Sequence, residues 1–131
     1  MIMNLKQIRI LVVAAVIFVV LDVVFMRVNY GMLSRQLIDV QGSSIRPKQA
    51  GFVLSYVFLL GGLYWFVLRE ERSVRCAMLL GLVIYGVYES TNYGLFTRWR
   101  AATAIIDTLW GIALFGATTA AVYALKAKHL L

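Results

Sequence analysis

The stretch YGVYESTNYGLFTRWRAATAIIDTLWG, residues 85–111, decides the fold. It sets Glu89 and Asp107, two of the chain's six acidic residues, inside runs otherwise apolar enough to be buried in lipid. An ionisable side chain at mid-bilayer is disfavoured by about 3 kcal/mol on insertion scales, so it marks a partner, a pathway or a site. Glu89, Asn92 and Asp107 are therefore expected to form the polar centre of a small membrane bundle.

Composition supports that reading. Hydrophobic residues make up 62% of the 131 positions, whereas apolar residues are about half of a soluble domain. The length allows one domain, residues 1–131, and leaves no segment for a separate soluble one. The net charge of +7 raises the question of nucleic acid. However, the basic residues fall between the apolar runs, at Lys6/Arg9, Arg46/Lys48, Arg69/Arg72/Arg75, Arg98/Arg100 and Lys126/Lys128. Anionic headgroups at membrane flanks account for such a pattern, so the expected partner is the lipid bilayer and not nucleic acid. Cys76 and His129 are each the only residue of their type. A disulfide, a zinc constellation and a Cys/His or Ser/His pair all lack partners. No cofactor and no metal site are expected, since three carboxylates without histidine suit a hard cation at best.

Periodicity and span length predict an all-α, polytopic membrane protein: a bundle of four transmembrane helices at about residues 8–28, 50–68, 76–96 and 101–125. A short amphipathic helix between the first two lies in the interface. The basic start and the charge-free Ile10–Leu21 run resemble a secretory signal. The small-residue cleavage pattern is missing, however, and Asp22 is followed by Val23, Val24, Phe25 and Met26, so no cleaved signal peptide is expected. Asp22 shares a helical face with Ala15, Phe18, Phe25, Met26 and Asn29. It either looks toward a packing partner or lies near the membrane surface and pairs with Arg27.

Within the Asn29–Gln49 connection, Tyr30, Leu33 and Leu37 form the apolar stripe of the interfacial helix, with Arg35 and Gln36 on other faces. In the second span, Gly51 with Ser55 and the Gly61-Gly62 pair offer surfaces for close helix approach, while Tyr64 and Trp65 suit headgroup depth. The short charged connector Arg69–Arg75 makes helices two and three antiparallel neighbours, with Glu70 and Glu71 solvated. Thirteen apolar residues, Cys76–Tyr88, are too few to cross a bilayer. The third helix therefore carries a polar stripe with it: Tyr85, Glu89 and Asn92, followed by Phe96. Ala77/Gly81 and Gly86/Ser90 supply small faces for packing. Arg98-Trp99-Arg100 reads as a turn with an interfacial anchor. The fourth helix sets Thr103, Asp107, Trp110, Gly111, Leu114 and Thr118 on one face, with Arg98 or Arg100 in reach of Asp107. Basic residues divide almost evenly between the two sides; the reading adopted is a multi-pass protein with both termini cytoplasmic.

The motifs Tyr85-x-x-Tyr-Glu-x-Thr-Asn and Asp107-x-x-Trp-Gly resemble those of the family called domain of unknown function 2177, small four-helix membrane proteins of bacteria. The resemblance spans nearly the whole chain and takes in Leu21-Asp22 at the end of the first helix. Tyr85, Gly86, Tyr88, Thr91 and Asn92 match the third-helix motif, with Glu89 at an Asp position. Asp107, Trp110 and Gly111 match the fourth-helix set. Arg98-Trp99-Arg100 stands where the family has Gly-Trp-Pro. The family implies no activity.

Two functions fit these residues. The first is a structural or assembly subunit of a membrane complex, a virion inner membrane included, whose helices are registered by a polar cluster of Asp22, Tyr85, Glu89, Asn92, Asp107 and Trp110. The alternative is a membrane enzyme or proton-coupled carrier in which Glu89 and Asp107, with Asp22 as a third candidate, act as acid/base groups on a lipid-like substrate.

Overall fold

A computed structural model describes residues 2–131. Five helices follow one another: α1 (Leu5–Val28), α2 (Tyr30–Gln41), α3 (Gln49–Leu63), α4 (Val74–Leu95) and α5 (Ala101–Ala127). Local chemistry sets several ends. Asn4 and Gln7 form a reciprocal capping box at the start of α1, each side chain accepting the other's backbone N–H at 2.9 Å. Ser73 accepts the N–H of Cys76 at 3.2 Å to open α4. Gly42, at φ 76°, terminates α2 in the left-handed conformation. Beyond Leu63 the chain continues for one wider turn, Tyr64–Leu68, in which Arg69 N–H donates five residues back to the Tyr64 carbonyl at 2.8 Å.

Four segments, Leu5–Val28, Gln49–Leu68, Val74–Leu95 and Ala101–Ala127, are long and apolar enough to cross a bilayer. They cover the four spans expected from sequence, and the chain is a four-helix membrane bundle. Val12, Val16, Val20, Val57, Phe58, Val83 and Leu109 point outward. In lipid such side chains are solvated, while every helical backbone group is satisfied internally.

The closest packing joins α4 to α5. A Cβ at Gly81 would overlap the Gly111 carbonyl, and a Cβ at Gly111 would overlap the Tyr85 ring, so the two helices meet backbone to backbone. α1 lies on α5 through Phe18 and Phe115, edge to face at 5.4 Å between centroids. With Ala14, Leu63, Val67, Leu114 and Val122, they make the buried core. At one end the connector is tied to α5: Lys126 pairs with Glu71, and Tyr123 Oη donates to the Arg72 carbonyl. α3 leans on α1 and has no extended contact with α4, which leaves a gap between those two helices.

Some local expectations are corrected. A Cβ at Gly51, Gly61 or Gly62 would meet nothing within 4 Å, so these glycines are not close-approach surfaces within the chain. Tyr64 is buried, while Trp65 is exposed beneath the Arg69 guanidinium at 3.8 Å. α2, by contrast, keeps Tyr30 and Leu37 of its expected apolar stripe exposed and docks through Ser34 and Gln36 on another face. The physical reason lies in the α4–α5 turn, whose backbone groups have no helical partners. Gln36 Nε2 donates to the Arg98 carbonyl at 3.0 Å and its Oε1 accepts the Arg100 N–H at 2.8 Å. An amide that supplies both donor and acceptor is drawn to that turn, while lipid can accept the apolar stripe instead.

Candidate functional site

The acids of the spans fall into two centres. Asp22, in the last two turns of α1, is enclosed by donors from two other helices. Tyr56 Oη of α3 donates to Oδ2 at 2.6 Å, and the Trp110 indole N–H of α5 donates to Oδ1 at 2.9 Å. Phe25, one turn beyond Asp22, stacks on the Trp110 ring at 4.5 Å and 2° between planes. Asp22 thus joins three helices, and Arg27 is not its partner. Tyr56 went unnoticed in the sequence because nothing in a charge-free span singles out one tyrosine.

The second centre lies between α4 and α5. Glu89 is 2% exposed, and its Oε2 accepts the Trp99 indole N–H at 2.7 Å. Trp99 is therefore a buried ligand of the carboxylate and not an interfacial anchor. The sequence hid this because Trp beside two arginines is the usual pattern of a headgroup residue. Asp107 lines the same cavity as Glu89. Neither Arg98 nor Arg100 forms an ion pair with Asp107: Arg100 pairs with Asp39 of α2, and the Arg98 carbonyl holds Gln36.

The remaining predicted residues surround this pair unequally. Tyr85 packs edge to face on Phe115 at 6.3 Å and supports the glycine contact of α4 with α5. Asn92 is half-buried, one turn after Tyr88 on α4. Trp110 belongs to the Asp22 centre. Glu70 and Glu71 lie in the exposed connector, where the Lys126 ammonium holds the Glu71 carboxyl below its usual range.

Two cavities border Asp107, and one of them also borders Glu89. One, about 360 Å³, fills the gap between α3 and α4 and is lined by Ser55, Phe58, Leu59, Ile84, Tyr85, Tyr88 and Asp107. Phe58 and Tyr88 are 75% and 54% exposed, so it opens sideways toward lipid. The other, about 380 Å³, lies under α2 and includes Glu89, Trp99, Thr103, Tyr88 and Asp107 in its wall. Tyr88 and Asp107 line both cavities. Thr103 is 1% exposed, and its hydroxyl has no partner among the described residues. Among those residues no three His, Cys, Asp or Glu side chains gather as a metal-binding group.

A family model described as "Predicted membrane protein (DUF2177)" matches residues 7–124. No curated protein and no solved structure matches the chain.

Proposed function

We propose, for a chain that belongs to the DUF2177 family of predicted membrane proteins, that it takes up a lipid-like molecule from the bilayer and exchanges a proton with it through Glu89 and Asp107. The observation that carries this reading is a carboxyl pair in the wall of one cavity, with Asp107 also bordering a second that opens between α3 and α4 toward lipid. Two acids in one low-dielectric wall can share a proton and pass it to a bound group, which is the requirement for general acid/base chemistry or proton-coupled movement. Glu89, tethered by Trp99, is the fixed partner. Asp107, which faces both cavities, is the group that meets the ligand. With both termini in the cytoplasm, the pair lies toward the opposite face of the membrane.

Polar registration of helices, the basis of an assembly role, is also supported, but by Asp22. Each of its two oxygens accepts a donor from another helix of the same chain, α3 or α5, an arrangement that fixes helix positions, and Asp22 lines neither of the two cavities.

Two measurements test the proton and lipid parts separately. Infrared difference spectra across a pH titration in nanodiscs are expected to contain a protonated-carboxyl band that Glu89→Gln and Asp107→Asn each remove and Asp22→Asn leaves. Lipids brominated in the acyl chain are expected to quench Trp99, read as the difference between wild type and Trp99→Phe. A Trp99 untouched by brominated chains would overturn the uptake reading.

A further inference from the structure

We infer that the cavity walled by Glu89, Thr103 and Asp107 binds the primary ammonium group of a long-chain amphiphile, with its apolar chain in the adjoining cavity between α3 and α4. This rests on the lipid-ligand reading above and narrows it to one class of headgroup. The argument begins with the polar atoms that the wall offers. One Glu89 oxygen is taken by Trp99, leaving the other, the Asp107 carboxyl and the Thr103 hydroxyl. Thr103 is the independent pointer: the residue lines the same cavity as both acids, and its buried hydroxyl has no partner among the described residues. A buried hydroxyl without a partner is unfavourable, and a ligand donor would relieve it. A primary ammonium carries three N–H donors, one for each of these groups, whereas an alcohol carries one.

Charge narrows the choice further. Two carboxyl groups make this wall acidic, and no Lys, Arg or His lines either cavity. A phosphate or carboxylate brought to this wall would meet repulsion and find no cation. An ammonium would be attracted, and the Tyr88 and Trp99 rings that also line the cavity add favourable cation–π faces. The tail follows from continuity. Asp107 and Tyr88 belong to both walls, and the adjoining cavity is faced by Phe58, Leu59 and Ile84. A head at Asp107 therefore directs its chain into the α3–α4 gap and out to lipid.

The shared chemistry, a primary ammonium on an apolar chain, occurs in free long-chain amines and in phosphatidylethanolamine, and the test separates the two. Calorimetric titration of the full chain in phosphatidylcholine nanodiscs would compare dodecylamine, dodecyltrimethylammonium, dodecanol and dodecanoate. Dodecylamine is expected to bind about tenfold or more tighter than the other three, a difference of about 1.4 kcal/mol. Glu89→Gln and Asp107→Asn should each erase that preference, and Thr103→Val should weaken it several-fold. Nanodiscs containing phosphatidylethanolamine should compete with dodecylamine if the lipid is the source; undiminished binding there assigns the site to a free amine. Dodecanol or dodecyltrimethylammonium binding as tightly as dodecylamine overturns the primary-ammonium assignment while leaving a lipid-like ligand in place. Binding of none of the four overturns the lipid-ligand reading as well.

Discussion

Asp22 and Asp107 are both carboxylates on transmembrane helices, both half-buried, and both near aromatic rings, yet their surroundings differ. Asp22 has each oxygen occupied by a donor from a different helix. Asp107 shares one cavity wall with another acid and borders a second cavity. Low dielectric raises the stakes at both places, because an unmatched polar group in lipid has no water to fall back on. Saturation by fixed donors makes a joint, and partial saturation beside open space makes a site. The same residue type in the same solvent thus serves opposite ends, and its neighbours decide which.

The most damaging change strikes the frame that both centres share. Gly111→Leu must push α4 from α5 against the Tyr85 ring, and overpacking of this kind costs about 1–3 kcal/mol or more. Unfolding in mixed micelles titrated with dodecyl sulfate should register that loss, together with loss of the protonated-carboxyl band. Next in size is Asp22→Ala, which strands the Tyr56 hydroxyl and the Trp110 indole and is expected to cost about 2 kcal/mol in the same assay. It should leave the Glu89–Asp107 band in the fraction that remains folded. If Asp22→Ala instead removes that band, the two centres are one network and the contrast fails.

The opposite pattern is expected for Asp107→Asn. Its stability should stay within about 0.5 kcal/mol of wild type, as for polar contacts in membranes generally, while amine binding disappears. Gln36→Ala, which frees the Arg98 carbonyl and Arg100 N–H, should cost about 1 kcal/mol locally. Faster hydrogen exchange confined to α2 and the α4–α5 turn would register it. The smallest effect concerns Glu71, exposed and outside the bilayer. Its carboxyl is held low by Lys126, so the pair's contribution is complete above about pH 4.3 and is lost as pH falls through the lowered value. Lys126→Ala should flatten that part of the stability–pH curve by an amount near the limit of measurement.

Much of the architecture was legible because the bilayer imposes it. A segment of about twenty apolar residues must be a helix, and charges at its ends mark where it leaves the membrane. The four spans, their short connections and the presence of α2 follow from that constraint. The exceptional positions, Asp22, Glu89 and Asp107, were equally visible, since acids in apolar runs stand out on composition alone. The close seam of α4 on α5 was legible in part, as Ala77 and Gly81 with Gly111 on the facing helix. The open surroundings of Gly51, Gly61 and Gly62 could not be read, because a small residue permits approach without bringing a neighbour.

What residue order determined by itself, then, is the number of lipid-crossing helices, their limits and the identity of the costly acids, because transfer into hydrocarbon acts on each segment independently of the others. Only the tertiary structure decided which donor reaches which acid. Tyr56, Trp99 and Gln36 acquire their roles from partners 34, 10 and 62 residues away. A hydrogen bond depends on the rotation and tilt of whole helices about one another, and that geometry is set by packing over the entire bundle.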